Sequence, residues 1–290
     1  MKEKEKIKKP EVFYIDEEIK EVRKKGILKY RSKRIPIWCP GCGYFGITIA
    51  MIQAFRELKI KTNELLIVSG IGCAGRLPFF FNAYGINSLH GRALPVASGA
   101  KTARPDLDVV TVIGDGDGLG IGAAHFVHTA RRNVDMLCIL FDNSIYGLTK
   151  GQTSPTTPNL QVTNSHPYGS PDTPVNPLSL ALSVGATFVA RGYAGRPVDM
   201  KELFIEGLQH KGFSFVQILS PCVTFDKVNK TYQRLDDVVM PLPKRHDYND
   251  FHMAMDRAVD QELFLGLFYK LEKPSFGDQM KSYAGRGVIK

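Results

Sequence analysis

Short apolar runs alternate with stretches of helical spacing along most of this 290-residue chain. Residues 44–58 (YFGITIAMIQAFREL) repeat apolar side chains at helical intervals. A run at 64–69 (ELLIVS) follows and ends in Gly70-Ile71-Gly72-Cys73. Residues 93–104 are small and weakly helical. The run 108–113 (DVVTVI) has the pattern of a buried strand and ends in Gly114-Asp115-Gly116-Asp117-Gly118. A helix is predicted over 119–132, and a second buried strand over 135–142 that stops at Asn143. Further predicted elements are a helix near 177–184, a strand near 186–190, a helix near 197–211 and a strand over 213–219 ending in Ser220-Pro221-Cys222. Strands alternating with helices predict an α/β fold, a parallel sheet with helices on both faces. Ligands in such sheets bind beyond the carboxyl ends of the strands. Cys73, Asp115, Asn143 and Cys222 each fall just past a different predicted strand, so one crest should hold all four.

The remainder is less regular. Residues 151–177 are rich in Pro, Thr, Ser and Asn, a long loop of the kind that usually carries function. The last fifty residues are polar apart from an amphipathic stretch near 251–270, and no internal repeat is visible. The expected division is a basic N-terminal arm (1–37), a core domain (38–228) and a C-terminal extension (229–290) that packs on a partner subunit.

Composition narrows the class. With 43% hydrophobic and 23% charged residues the chain can bury a sizeable core. No apolar stretch is long enough to span a bilayer, and the basic N-terminus lacks the apolar segment of a secretion signal, so a soluble cytoplasmic protein is expected. Net charge is +9, of which residues 1–34 supply +6. Such an arm is either a solvated tail or a surface that steers an acidic partner. No nucleic-acid recognition motif accompanies the charge.

Gly114-Asp115-Gly116 at a strand end, opening a helix, offers close backbone approach and N–H groups to a phosphate. Asp115 is a hard oxygen ligand suited to Mg²⁺. Asn143 ends the next strand and should bring a second oxygen to the same place. Asp117, nearby, has the position of a helix cap or of a second functional carboxylate.

Five cysteines are too few for a disulfide scaffold. Cys39-Pro40-Gly41-Cys42 has chelate spacing, and Cys73 and Cys222 complete four thiolates. Spacing alone fits either zinc or a [4Fe–4S] cluster. Cys73 tips the balance, because it sits in a glycine loop on the diphosphate crest, where a redox centre has a use. Cys138, mid-strand in an apolar run, reads as a packed core thiol.

Trp38-Cys39-Pro40-Gly41-Cys42-Gly43, Gly70-Ile71-Gly72-Cys73, Leu89-His90-Gly91-Arg92, Gly114-Asp115-Gly116-Asp117 and the run 143–152 (NSIYGLTKGQ) together resemble β subunits of 2-oxoacid:ferredoxin oxidoreductases. The resemblance covers roughly residues 35–225. The run 148–157 (LTKGQTSPTT) is most similar to the 2-oxoglutarate branch. The resemblance implies a thiamine-diphosphate-binding fold of the pyrophosphate type. It implies that Asp115, Asn143 and the Ile145 carbonyl hold Mg²⁺ and that Cys39, Cys42, Cys73 and Cys222 ligate the cluster. It places Ile71, Gly72, Cys73, Ala74, His90, Gly116, Asp117, Gly147 and Leu148 around thiamine diphosphate, and Lys150 at the substrate carboxylate. The implied reaction is oxidative decarboxylation of a 2-oxoacid to acyl-CoA and CO₂, possible in either direction, with electrons passing through the cluster to ferredoxin. The basic arm would help dock that acidic carrier.

Two parts of such an enzyme have no counterpart here. No eight-cysteine ferredoxin segment is present, and the chain is too short for a second, pyrimidine-binding domain. An α subunit is therefore expected to supply that domain, in an (αβ)₂ heterotetramer. Two other readings compete: a non-redox thiamine decarboxylase or carboligase, and a zinc-stabilised subunit without catalysis.

Overall fold

The computed structural model describes residues 29–226 and 231–285. Helix α1, Tyr44–Glu57, buries Ile47, Ala50, Met51, Ala54 and Phe55, the i, i+3, i+4, i+7, i+8 stripe that a core-facing helix requires. Strand β1 (Leu65–Ser69), a 3₁₀ helix (Ala74–Phe80), β2 (Tyr84–Asn87), α2 (Ala93–Ala103) and β3 (Asp108–Gly114) follow. The chain then makes a π-helical turn, Gly116–Ile121, before α3 (Ala123–Arg131) and β4 (Met136–Asp142). A small ribbon of β5 (Ile145–Tyr146) and β6 (Gln152–Thr153) precedes the long loop and α4 (Pro177–Ser183). Next come β7 (Phe188–Tyr193), α5 (Pro197–Gln209) and β8 (Phe213–Leu219). The last described elements are α6 (Thr231–Val238), β9 (Val239–Pro241), α7 (Phe251–Val259), β10 (Leu263–Lys270) and α8 (Phe276–Gly285).

Among the described residues eight strands form one sheet in the order β2-β1-β3-β4-β8-β7-β10-β9. The first six are mutually parallel, and β10 joins β7 antiparallel. The strands separate two cores. Leu65, Ile67, Leu137, Ile139 and Phe141 face α1 and α5, while Leu66, Val68, Met136, Cys138 and Leu140 face the other helical layer. Burial on both faces is why these strands are unbroken apolar runs.

The amphipathic stretch 251–270 is two elements, α7 and β10, and β10 extends the main sheet. Residues 239–270 therefore share the core of this chain. At the other end, residues 1–28 of the expected arm lie outside the described residues. Residues 29–37 run over the surface and are anchored by Tyr30, which is buried, its hydroxyl donating to the carbonyls of Phe55 and Ile60 at 3.0 and 2.6 Å. No helix among the described residues is long and apolar enough to cross a membrane.

Candidate active site and metal centre

Strands β1, β3, β4 and β8 are consecutive neighbours in the sheet. Their carboxyl ends lead to Cys73, Asp115, Asn143 and Cys222 in that order across the crest, so one loop from each strand supplies one chemical group. Two cavities open there. The first, about 270 Å³, is lined by Ile71, Gly72, Cys73, Ala74, His90, Asp115, Gly116, Asp117, Asn143, Ile145, Gly147 and Leu148. These are all the residues expected around thiamine diphosphate and its metal. Lys150 does not line it. It stands one position beyond the lining residue Thr149, exposed, with φ +82°, its carbonyl accepting a hydrogen bond from the Asn164 side chain.

Asp115 lines this cavity, and Asp142 lies behind it without lining it. Asp115 is 2% exposed and Asp142 5%. One oxygen of Asp115 accepts from Ser154 Oγ at 2.5 Å and Thr156 Oγ1 at 3.0 Å, and Thr156 Oγ1 also lies 2.8 Å from Asp142 Oδ1. A hydroxyl carries one proton, so Thr156 serves only one carboxylate at a time. Burial raises both carboxyl groups above their ordinary range, and the neighbouring Asp142 charge raises Asp115 further. Asp115, Asn143 and Ile145 all line the cavity, and a carboxylate, a side-chain amide oxygen and a backbone carbonyl are hard oxygen donors of the kind that suit Mg²⁺. Asp142 is braced from behind by Gln217 Nε2 at 2.7 Å, and Gln217 Oε1 in turn accepts from buried Arg191 at 2.9 Å.

Ser144 directs Asn143 and Ile145 into the cavity. Its φ of +57° lies in the left-handed region and turns the chain sharply out of β4. Asp142 Oδ1 holds the Ser144 N–H at 3.1 Å, and Thr157 Oγ1 donates to its carbonyl at 2.5 Å. Asn143 Oδ1 accepts from Ile145 N at 3.2 Å, and its Nδ2 donates to the hydroxyl of buried Tyr44 at 3.2 Å.

Asp117 is neither a cap of its own helix nor a free ligand. Its Oδ1 accepts from Ile71 N at 3.1 Å and Gly91 N at 2.7 Å, with His90 Nδ1 at 2.8 Å. An oxygen that already accepts from two backbone amides has no proton to give, so His90 Nδ1 is assigned as the donor. One side chain thus clamps the loops after β1 and β2 to the loop after β3. Gly72, at φ +121° with open space where a Cβ would stand, leaves the cavity wall bare for a ligand.

The second cavity, about 180 Å³, is lined by all four cysteines. Trp38 Nε1 donates to the Cys73 carbonyl at 2.8 Å, which ties the Cys39–Cys42 loop to the glycine loop. Burial, with the charges of the other cysteines, pushes the Cys42 thiol up to about 12, and burial raises Cys73 as well. Thiols in this state need a metal to lose their protons. Four thiols around one cavity are a donor set that fits zinc or an iron–sulfur cluster. Cys138 is fully buried on β4, away from this set.

The two cavities share a wall made of Tyr44, Cys73, Asn143, Gly147 and Leu148. Sequence reasoning did not single out Tyr44, Asp142, Ser154 or Thr156. Tyr44 looks like an ordinary apolar helix position, and the two hydroxyls are hidden in a loop full of them.

These features define the class: a thiamine diphosphate-binding domain of an oxidoreductase. The family described as thiamine pyrophosphate enzyme, C-terminal TPP binding domain, matches residues 70–218. A second family, the C-terminal part of the pyruvate ferredoxin oxidoreductase β chain, matches residues 222–285. The chain is 43% identical to the 2-oxoacid:ferredoxin oxidoreductase subunit beta of Sulfolobus sp, over 84% of this chain and 85% of that one. It is 36% identical to 2-oxoglutarate synthase subunit KorB of Methanocaldococcus jannaschii, over 87% of this chain and 95% of that one. A solved 2-oxoglutarate:ferredoxin oxidoreductase from Magnetococcus marinus, with 2-oxoglutarate, coenzyme A and succinyl-CoA bound, superposes with a TM-score of 0.87 at 42% identity, over 91% of each chain. The chain belongs to the β subunits of 2-oxoacid:ferredoxin oxidoreductases, as its motifs implied, and so works with a partner subunit.

Proposed function

We propose that this chain is the β subunit of an enzyme that oxidatively decarboxylates a 2-oxoacid, 2-oxoglutarate first, to its acyl-CoA and CO₂. Cys39, Cys42, Cys73 and Cys222 would hold a [4Fe–4S] cluster, which would supply the route for electrons to ferredoxin. The observation that carries this reading is the shared wall: Cys73 belongs both to the cofactor cavity and to the cysteine cavity. Thiamine diphosphate, when bound, supplies the electron sink that lets a 2-oxoacid lose CO₂. Asp115, Asn143 and the Ile145 carbonyl would hold the Mg²⁺ that ties down its diphosphate. Asp117 holds His90 and the Ile71 and Gly91 amides in place around it, and the Gly72 and Gly147 backbones let it approach closely. Tyr44 and Cys73, which line both cavities, would stand between the cofactor and the cluster. Lys150, next in the chain to the lining residue Thr149, would meet the substrate carboxylate by charge. The pyrimidine-binding domain would come from an α subunit in an (αβ)₂ assembly.

The test is anaerobic purification of the chain co-expressed with its partner subunit. Brown protein with about four irons per β chain, and coenzyme A-dependent reduction of ferredoxin by 2-oxoglutarate exceeding that by pyruvate or branched-chain 2-oxoacids, is the expected result. Colourless protein holding one zinc per chain, or decarboxylation without any electron acceptor, would refute the oxidoreductase assignment.

A further inference from the structure

The cysteine cavity has a second wall that the cofactor cavity lacks. Ile37, Arg76 and Phe225 line the former and not the latter. Ile37 is 65% exposed and Phe225 40%, so this wall is also molecular surface. Around it runs segment 31–37. Arg31 bridges Phe81, the Ser32 amide and hydroxyl bond the carbonyls of Phe80 and Phe79 at 2.9 and 2.7 Å, and the Arg34 guanidinium lies 5.6 Å over the Phe79 ring. The segment is thereby laid along the 3₁₀ helix that carries Arg76.

Charge on this face has one sign. The segments that build it, 29–56, 70–105 and 219–225, contain no Asp or Glu at all. Asp226, the next acid, is buried. Arg31, Lys33 and Arg34 are exposed, and Arg76 is half-buried at the cavity wall. An apolar centre whose rim is cationic among the described residues, on the outer wall of the cysteine cavity, has the composition of a small transient interface.

We propose that an acidic, ferredoxin-type electron-carrier protein docks on this face and takes electrons through the Ile37–Arg76–Phe225 wall. The proposal rests on the function assigned above and deepens it. A 2-oxoacid carboxylate and a coenzyme A thiol give acyl-CoA, CO₂, two electrons and one proton. A one-electron carrier must therefore dock, be reduced and leave twice per turnover. Such traffic favours an interface built on long-range attraction and a small contact area. Cations of one sign accelerate encounter with an opposite charge by roughly 10- to 1000-fold at low salt.

The holoenzyme carrying Arg31→Glu, Lys33→Glu and Arg34→Glu together, and a second form with Lys33→Glu alone, test this. Two acceptors are compared: an acidic bacterial two-cluster ferredoxin, and methyl viologen, which is small enough to need no docking surface. For the triple variant kcat/KM for ferredoxin should fall at least tenfold at low salt and lose most of its salt dependence. The single variant should show a smaller loss of the same kind. Rates with viologen, the KM for coenzyme A and recovery of the partner subunit should stay within twofold. Unchanged kcat/KM for ferredoxin overturns the proposal. So does an equal loss with viologen, a raised KM for coenzyme A, or loss of the partner subunit, which would assign the face to the cluster, the coenzyme or the other chain. Wild-type enzyme that reduces viologen but not the ferredoxin refutes the docking face alone; enzyme that reduces neither in a 2-oxoacid-dependent way refutes the function as well.

Discussion

Replacing Asp117 should uncouple the cofactor cavity from its own walls. The Asp117 carboxylate is 3% exposed, and one of its oxygens accepts from Ile71 N, Gly91 N and His90 Nδ1 at 2.7–3.1 Å. Asp117→Ala strands the buried Gly91 N–H and leaves the N–H of Ile71, a residue 40% exposed, to water. A buried donor left unpaired costs about 1–3 kcal/mol, so the variant should lose about that much. Asp117→Asn keeps an acceptor oxygen but not its charge. Charge-assisted bonds are roughly twice as strong as neutral ones, so about half the loss should return. Urea unfolding of the two variants and wild type gives the stabilities, and fluorescence titration with thiamine diphosphate and Mg²⁺ gives the affinities. Both should rank wild type, Asn, Ala. A loss below about 1 kcal/mol for Ala, or equal losses for Ala and Asn, would refute the clamp as the source of the loop positions.

Three further outcomes follow from the same geometry. Cys138→Ser buries a hydroxyl where a fully buried thiol now packs, so it should cost about 1–3 kcal/mol while iron content stays at wild-type level; Cys73→Ser, by contrast, should lose iron. Gly147→Ala would set a methyl group 3.2 Å from Asn143 Nδ2 and 3.8 and 3.9 Å from the Cys73 and Cys222 sulfurs, and an overpacking cost of about 1–3 kcal/mol should weaken thiamine diphosphate binding roughly 5- to 150-fold by calorimetry. Burial holds His210 below the ordinary histidine range, against the opposing charge of Glu272, whose Oε1 lies 3.9 Å from an Nδ1 that makes no hydrogen bond. The unfolded chain therefore binds the extra proton as pH falls through about 6.5, and stability falls with it. His210→Gln should flatten the decline in urea midpoint below that pH, and an unchanged slope would assign the acid sensitivity elsewhere.

What could be read from the chain follows from how each element is buried. β1, β3, β4 and β8 are covered on both faces, so each is an apolar run that stops at a glycine, acid or proline, and the chemistry sits at the stop. β2 has all four of its residues exposed at the sheet edge and so offers no apolar run to recognise. The stretch 251–270 concealed a change of period: helical spacing in α7 gives way at the turn 260–262 to the strand β10. The helix expected over 119–132 begins instead with the π-helical turn Gly116–Ile121. That turn lets the loop carry both Asp115 and Asp117 inward at 2% and 3% exposure. Long-range polar pairing was not readable at all. Thr156 meets Asp115 and Asp142 only because the loop 151–177 folds back over the crest, and no local pattern encodes that return.

The position of the cysteine site follows from strand order rather than from the cysteine motif. In an open parallel sheet each strand delivers one loop to the crest, at a spacing of about 4.8 Å. β1 and β8 are separated by β3 and β4, so Cys73 and Cys222 flank the two loops that bear Asp115 and Asn143. The pair Cys39 and Cys42 belongs to no strand and precedes α1. It reaches the crest because Trp38 hydrogen-bonds the Cys73 carbonyl and packs edge-on against Tyr44, Phe45 and Phe80. The aromatic residue before the first cysteine is therefore as much a part of the metal site as the spacing of the thiols. A cysteine set assembled this way cannot form without the sheet that also builds the cofactor cavity, so the proposed cluster and the cofactor would be coupled in folding as well as in space.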